Sequence, residues 1–108
     1  QMWDFIYIDD VCRCIEKIEK HPFLKSDFFN LSSNKVSKLK DLVEFIFDEI
    51  KPKSARPLYG KKPFRKDQVF YLRGSNDKLC NEINWNPKVN IYEGLRNTIN
   101  YERKKMEI

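Results

Sequence analysis

Asp4-Phe5-Ile6-Tyr7-Ile8-Asp9-Asp10-Val11 is the stretch on which the fold turns. After Asp4 it passes through four aromatic or β-branched side chains without a polar interruption. A run with no alternation suits a strand covered on both faces. Asp9 and Asp10 then offer a carboxylate N-cap and negative charge where a helix dipole favours it, so Asp10 reads as a cap rather than a catalytic acid. Val11, Cys14, Ile15 and Ile18 follow at helical spacing, a stripe that lasts to Lys20 and stops at His21-Pro22. A buried strand feeding an amphipathic helix is an α/β unit, and such strands normally lie inside a larger sheet.

Working outward, Phe28-Phe29-Asn30-Leu31 reads as a second short strand before the polar turn Ser32-Ser33-Asn34. Ser37 is placed to cap the next helix, whose inward residues are Leu39, Leu42, Val43, Ile46 and Ile50, with Phe45 and Phe47 widening the face. Lys51-Pro52 closes it. Residues 52–67 hold three prolines, one glycine and the cations Lys61, Lys62, Arg65 and Lys66, and read as a long loop with a brief strand near Leu58-Tyr59. Loops of that length are commonly functional. Val69-Phe70-Tyr71-Leu72 is a third strand. Leu79, Cys80 and Ile83 mark a short helix ahead of Trp85-Asn86-Pro87, whose indole and proline anchor the following turn. The last helix starts near Ile91 and turns Tyr92, Leu95, Ile99 and Met106 inward. Gly94 within it costs up to ~1 kcal/mol relative to alanine, which close packing would explain. The expectation is an α/β chain (an α+β fragment) of about four helices with three or four short strands.

Composition narrows the function. The chain has 108 residues, the size of one domain, with 41% apolar and 34% charged residues, as in a soluble globular protein. Its three glycines, Gly60, Gly74 and Gly94, are isolated, so no glycine-rich phosphate cradle can be built from it. Twenty-one Lys and Arg against sixteen Asp and Glu leave +5, which favours an anionic partner. Cys12, Cys14 and Cys80 read as free thiols of a reducing cytoplasm. A metal site would need them to converge with His21, without any C-x-x-C pair, and none is expected. Nothing is apolar enough for a bilayer span and the start does not resemble a secretion signal. The expectation is a cytoplasmic protein without membrane contact.

Three segments in order resemble one family. Gln1 to Val11 (QMWDFIYIDDV) resembles the "RDF-x-Y-(I/V)-x-D" segment of the extended short-chain dehydrogenases/reductases, the NAD-dependent sugar-nucleotide epimerases and dehydratases. Phe29 to Asn34, with the helix after it, resembles their "(F/Y)-N-(I/L)-G-x-G" strand and turn. Lys78 to Leu95 (KLCNEINWNPKVNIYEGL) resembles their "SK-x-x-x-x-LGW-x-P-x-x-x-x-x-EGL" ending. The resemblance covers essentially the whole chain and maps it to the C-terminal third of such enzymes. It implies that residues 1–108 are one substrate-binding domain or fragment, with the N-terminal NAD(P)-binding Rossmann lobe outside this chain. NAD(P) would serve the intact parent protein and would not be bound by this chain alone. The family's catalytic Tyr-x-x-x-Lys pair lies in that other lobe. Tyr101 and Lys105 match its spacing but sit in a charged tail, so no catalytic residue is assigned here.

The resemblance also implies a nucleoside diphosphate-sugar as partner, held by cations on its pyrophosphate. One family arginine begins the first segment, and Trp3 stands there instead, either stacking on base or sugar or packing beside Phe5. A second arginine precedes the third strand, three residues before an aspartate that binds ribose. Counting from Trp85 aligns Arg65 with that arginine and Gln68 with the aspartate. Reading Lys62-Pro63-Phe64 as the family's "RPF" makes Lys62 the phosphate contact instead. The candidate substrate-binding residues are therefore Arg65, Lys62, Asp67, Gln68 and Trp3. The rival reading is a small basic nucleic-acid-binding module, supported by the charge and by aromatics interleaved with lysine around Tyr59–Tyr71, but without RNP-type, zinc-finger or helix-turn-helix signatures. An unpaired buried strand further predicts a homo-oligomer.

Overall fold

The computed structural model describes residues 1–21, 24, 28–53, 56–63 and 65–106. The first strand falls earlier than the apolar run that follows it. β1 is Met2–Trp3, flanked by β2 (Ser37–Lys38) and β3 (Tyr71–Leu72) in the order β2-β1-β3. It pairs antiparallel with β2, Trp3 opposite Ser37, and parallel with β3, Trp3 opposite Leu72. Asp4 ends both ladders. Its carboxylate accepts the backbone N–H groups of Ser33 (2.9 Å), Asn34 (3.1 Å) and Gly74 (3.2 Å), and the Ser33 hydroxyl. Charge-assisted bonds to three amides fix the two neighbouring segments at the point where they turn away. The expected strand over Asp4–Ile8 is thereby corrected: residues 4–7 continue without a ladder, and Phe5, Ile6 and Tyr7 are half-buried through their side chains. Gly74 is needed beside this carboxylate, because a Cβ there would lie 2.5 Å from Cβ of Ser32.

Four helices follow the expected order. α1 (Ile8–Lys20) has Tyr7 at its N-cap, not Asp9 or Asp10, and ends where His21 donates its N–H to the Ile18 carbonyl. Pro22, the other half of that stop, lies outside the described residues. α2 (Leu39–Ile50) has Lys38 at its N-cap position without a side-chain cap, while Ser37 is spent on β2 rather than on capping. Lys51 closes α2 in the left-handed conformation at φ 52°. α3 is Asp77–Ile83 and α4 is Ile91–Met106.

The core lies between α1 and the α3–α4 connection. Cys14, Leu79, Ile83 and Trp85 are buried together, with Ile6, Ile18, Phe29 and Leu31 packed on them. Trp85 anchors the turn as its size implied: its indole N–H donates to the Asp10 carbonyl at 3.0 Å. The Asp10 carboxylate, fully buried, accepts the N–H groups of Lys88 (3.0 Å) and Val89 (3.2 Å) and pairs with Arg13 one turn on. Its role is to tie α1 to the chain entering α4, which corrects the reading of Asp10 as a cap. Tyr7 lies flat enough on α4 that a Cβ at Gly94 would come within 2.9 Å of its ring, the close approach that explains this helical glycine. A second contact joins α2 to α4: Phe45 meets Tyr92 edge-on at 5.0 Å, and Arg96 bonds Glu49 at 3.1 Å.

Several expected elements and burials are corrected. Phe28–Leu31 has no ladder, and Phe28 is 84% exposed. Leu58-Tyr59 is not a strand, and of the Val69–Leu72 run Tyr71–Leu72 forms β3, with the Phe70 carbonyl accepting the Met2 N–H at 2.7 Å. Ile15, Ile50, Tyr92 and Met106 are exposed rather than inward. The cause is shared: a strand or an apolar stripe is buried only by a neighbour, and here few neighbours exist. The Cα radius of gyration is 17.1 Å and the extents are 54 × 42 × 18 Å, whereas a compact domain of this length has a radius of about 13 Å. The molecule is a thin slab with uncovered apolar sides. Among the described residues no helix is long and apolar enough to cross a membrane.

Candidate functional site

Hollows lined by the described residues open on the slab, and one of them is lined by both charges. One of about 390 Å³ beside the end of α2 is lined by Glu44 and Asp48 as well as Lys51, Lys53 and Arg56, so its cations are locally balanced. Another, of about 320 Å³, lies between residues 33–37 and the start of α4, where Asn90 caps Glu93. The third, of about 430 Å³, is lined by Gln1, Trp3, Lys62, Pro63, Arg65 and Gln68. It holds two cations and no carboxylate among its described lining residues. The second hollow, with Lys35 and Lys88 and no carboxylate in its described lining, shares that charge, and the third differs from it in having an arginine and an indole in its walls.

Its walls come from two segments some sixty residues apart. β1 supplies Trp3, held by strands on both sides. The loop before β3 supplies Lys62, Arg65 and Gln68. Gln68 donates its N–H to the Arg65 carbonyl at 3.0 Å, closing a tight turn that sets Arg65 and Gln68 on the same side. The Val69 carbonyl then organises the floor. It accepts the Trp3 indole N–H at 2.9 Å and the Gln68 side-chain amide at 3.3 Å. The indole plane is thereby fixed, and the Gln68 carboxamide oxygen is left to accept from a ligand. Lys62 and Arg65 are exposed and bring full positive charge to the rim.

Of the residues singled out from sequence, Trp3, Lys62, Arg65 and Gln68 meet at this hollow. Asp67 does not line it and stands exposed in the turn. Phe64 lies outside the described residues. Trp3 borders the hollow and packs beside Phe5, the ring centroids 6.3 Å apart and the planes tilted 41°. Sequence reasoning missed the Val69 carbonyl and the Asp4 carboxylate, the groups that hold the site's two segments. An acidic residue directly after the strand was the available signal for Asp4. The thiols do not gather: Cys12 is exposed and Cys14 buried on the same helix, and burial pushes the Cys14 thiol up from its ordinary range. Among the described residues no group of three or more His, Cys, Asp or Glu is placed to hold a metal ion. Tyr101 is 65% exposed near the end of α4.

No family model matches the chain. A UDP-glucuronate 4-epimerase of Thermodesulfobacterium geofontis is 28% identical over 109 residues, which is all of this chain and 32% of that protein. The structure of a UDP-glucose 4-epimerase with UDP-glucose, from Thermotoga maritima, superposes with a TM-score of 0.78 at 28% identity, over 95% of this chain and 32% of that one. The chain matches the C-terminal part of the extended short-chain dehydrogenases/reductases. RMD from Pseudomonas aeruginosa, a complex with NADPH, shares the same short-chain dehydrogenase/reductase fold over 86% of this chain and 30% of its own, with a TM-score of 0.69 at 24% identity. The chain thus spans about a third of the length of the extended short-chain dehydrogenases/reductases it is similar to.

Proposed function

We propose that this chain is the substrate-binding C-terminal part of an NAD(P)-dependent sugar-nucleotide epimerase or dehydratase, and that it grips the nucleoside diphosphate portion of the substrate. One observation carries the reading: a cation-lined hollow draws Trp3, Lys62, Arg65 and Gln68 together from two separate segments of the chain. Arg65 presents a planar fork to one phosphate and Lys62 a point charge to the other. Gln68, its amide donor turned to Val69, accepts from a ribose hydroxyl, a role that Asp67, outside the lining, does not share.

In this proposal the redox chemistry belongs to an N-terminal Rossmann lobe that the intact protein carries. The glycines of this chain do not fit a dinucleotide cradle: Gly60 occupies a turn at φ 71°, Gly74 abuts Ser32 and Gly94 lies beneath Tyr7. The exposed Ile8, Ile15 and Phe28 are the apolar surface such a lobe would cover. Epimerisation or dehydration would be decided by residues of that lobe, and the setting is the cytoplasmic supply of sugars for surface polysaccharide.

Calorimetric titration of the intact protein with UDP tests the reading. Saturable binding is expected, weakened roughly tenfold by Arg65→Ala and similarly by Lys62→Ala, as befits charge-assisted contacts. Unchanged affinity in both variants would place the diphosphate elsewhere.

A further inference from the structure

Residues 56–63 are mostly exposed, yet Tyr59 among them is seated on α2 by both ends of its side chain. Lys40 and Glu44 stand one turn apart on the same face of that helix. The Tyr59 hydroxyl donates to Glu44 Oε1 at 3.4 Å, and Lys40 Nζ lies 5.1 Å from the Tyr59 ring centroid. The phenol thus gives its proton to an anion and its electron-rich face to a cation. Partial desolvation, with the Glu44 and Asp41 carboxylates, pushes the hydroxyl above its ordinary range, so the proton it donates stays in place. The chain then turns at Gly60, with φ 71° and open space where a side chain would stand. Lys62 follows and lines the cation-rich hollow together with Gln1 and Trp3. Three residues of extended chain span about 10 Å, so the seat of Tyr59 limits where Lys62 can be. Lys62 is itself exposed, and its place is set by the backbone that carries it.

We propose that Tyr59 is a positioning residue for that hollow: clasped on the Lys40–Glu44 face of α2, it holds Lys62 ready for an anion without touching the ligand. The inference rests on the reading of the hollow as a diphosphate site and adds to it a residue from outside the lining. A lysine on a free loop gives up backbone and rotamer freedom when the anion arrives, which subtracts from affinity. A lysine on a clasped loop has given up the backbone part on folding. α2 serves as the fixed anchor, and Tyr59 acts only through Lys62.

The test measures UDP affinity of the intact protein as wild type, Tyr59→Ala, Lys62→Ala and the double variant. Tryptic cleavage after Lys61 is followed in the absence of ligand. Tyr59 is outside the buried cluster, so its removal leaves the core intact. Tyr59→Ala should speed the cleavage and weaken UDP binding roughly threefold. Lys62→Ala should weaken it roughly tenfold, and the double variant no further, whereas independent losses would multiply to roughly thirtyfold. Multiplied losses would overturn the positioning role alone, because they report an effect that bypasses Lys62. So would a Tyr59→Ala protein with unchanged cleavage or unchanged UDP affinity, or a Lys62→Ala protein with unchanged affinity beside a weakened Arg65→Ala. Absence of UDP binding to the wild type would overturn this inference together with the reading beneath it.

Discussion

Asp10 has no solvent exposure, and its carboxylate answers two amides and a guanidinium while its carbonyl takes the Trp85 indole N–H. Removing one partner from such a cluster strands the others without water, at a cost of about 3–5 kcal/mol. Asp10→Ala should therefore lower the urea midpoint severely, whereas Trp85→Phe, which forfeits one bond and part of the ring, should cost clearly less. The thiols give a separate reading. Exposed Cys12 should react with a maleimide at once and Cys14 only as the chain unfolds. Burial raises the Cys14 pKa above its ordinary value of 9.0. The unfolded chain then loses that proton first, so this contribution to stability is complete below about pH 9 and declines as the pH rises through the folded value. At this scale the sequence made Trp85, Gly94 and the site cations readable, because bulk, a helical glycine and charge are local properties. The amide partners of the Asp10 carboxylate were not readable: they lie 78 and 79 residues away.

Elements were legible in proportion to how much of their cause is local. The helices carry their own hydrogen bonds and a 3.6-residue stripe, so α2, α3 and α4 lie where periodicity puts them. The strands are two residues long and exist only through their partners. An apolar run such as Phe28–Leu31 therefore signals a strand without guaranteeing a neighbour to pair with it. Helix ends also depended on context, since Ser37 was drawn into β2 and the Leu39 N–H at the start of α2 donates to the Gln1 carbonyl instead of to a side-chain cap. Two substitutions test these assignments. Lys51 terminates α2 with φ 52° and ψ 58°, a conformation glycine adopts without strain, so Lys51→Gly should stabilise the chain by up to ~1 kcal/mol in denaturant titrations. At Gly94 the sign reverses. Alanine there would press on the Tyr7 ring at 2.9 Å, and a loss of about 1–3 kcal/mol is expected despite alanine's better helix propensity.

The whole molecule is a slab 18 Å thick with one buried cluster of four residues and a smaller contact between α2 and α4. Apolar residues at Ile8, Ile15 and Phe28 face solvent. In the proposal these cover the seam with a preceding lobe, so Phe28→Ser should leave the stability of this chain within about 0.5 kcal/mol yet weaken its attachment to that lobe, seen as faster limited proteolysis of the intact protein between the two. The central claim is that the hollow between β1 and the loop before β3 holds a nucleoside diphosphate. Hydrogen–deuterium exchange of the intact protein with and without UDP measures this directly. The account predicts slowed exchange in residues 1–3 and 61–69, with α2 unchanged. Protection confined to other parts of the chain, with both stretches unaffected, would contradict it.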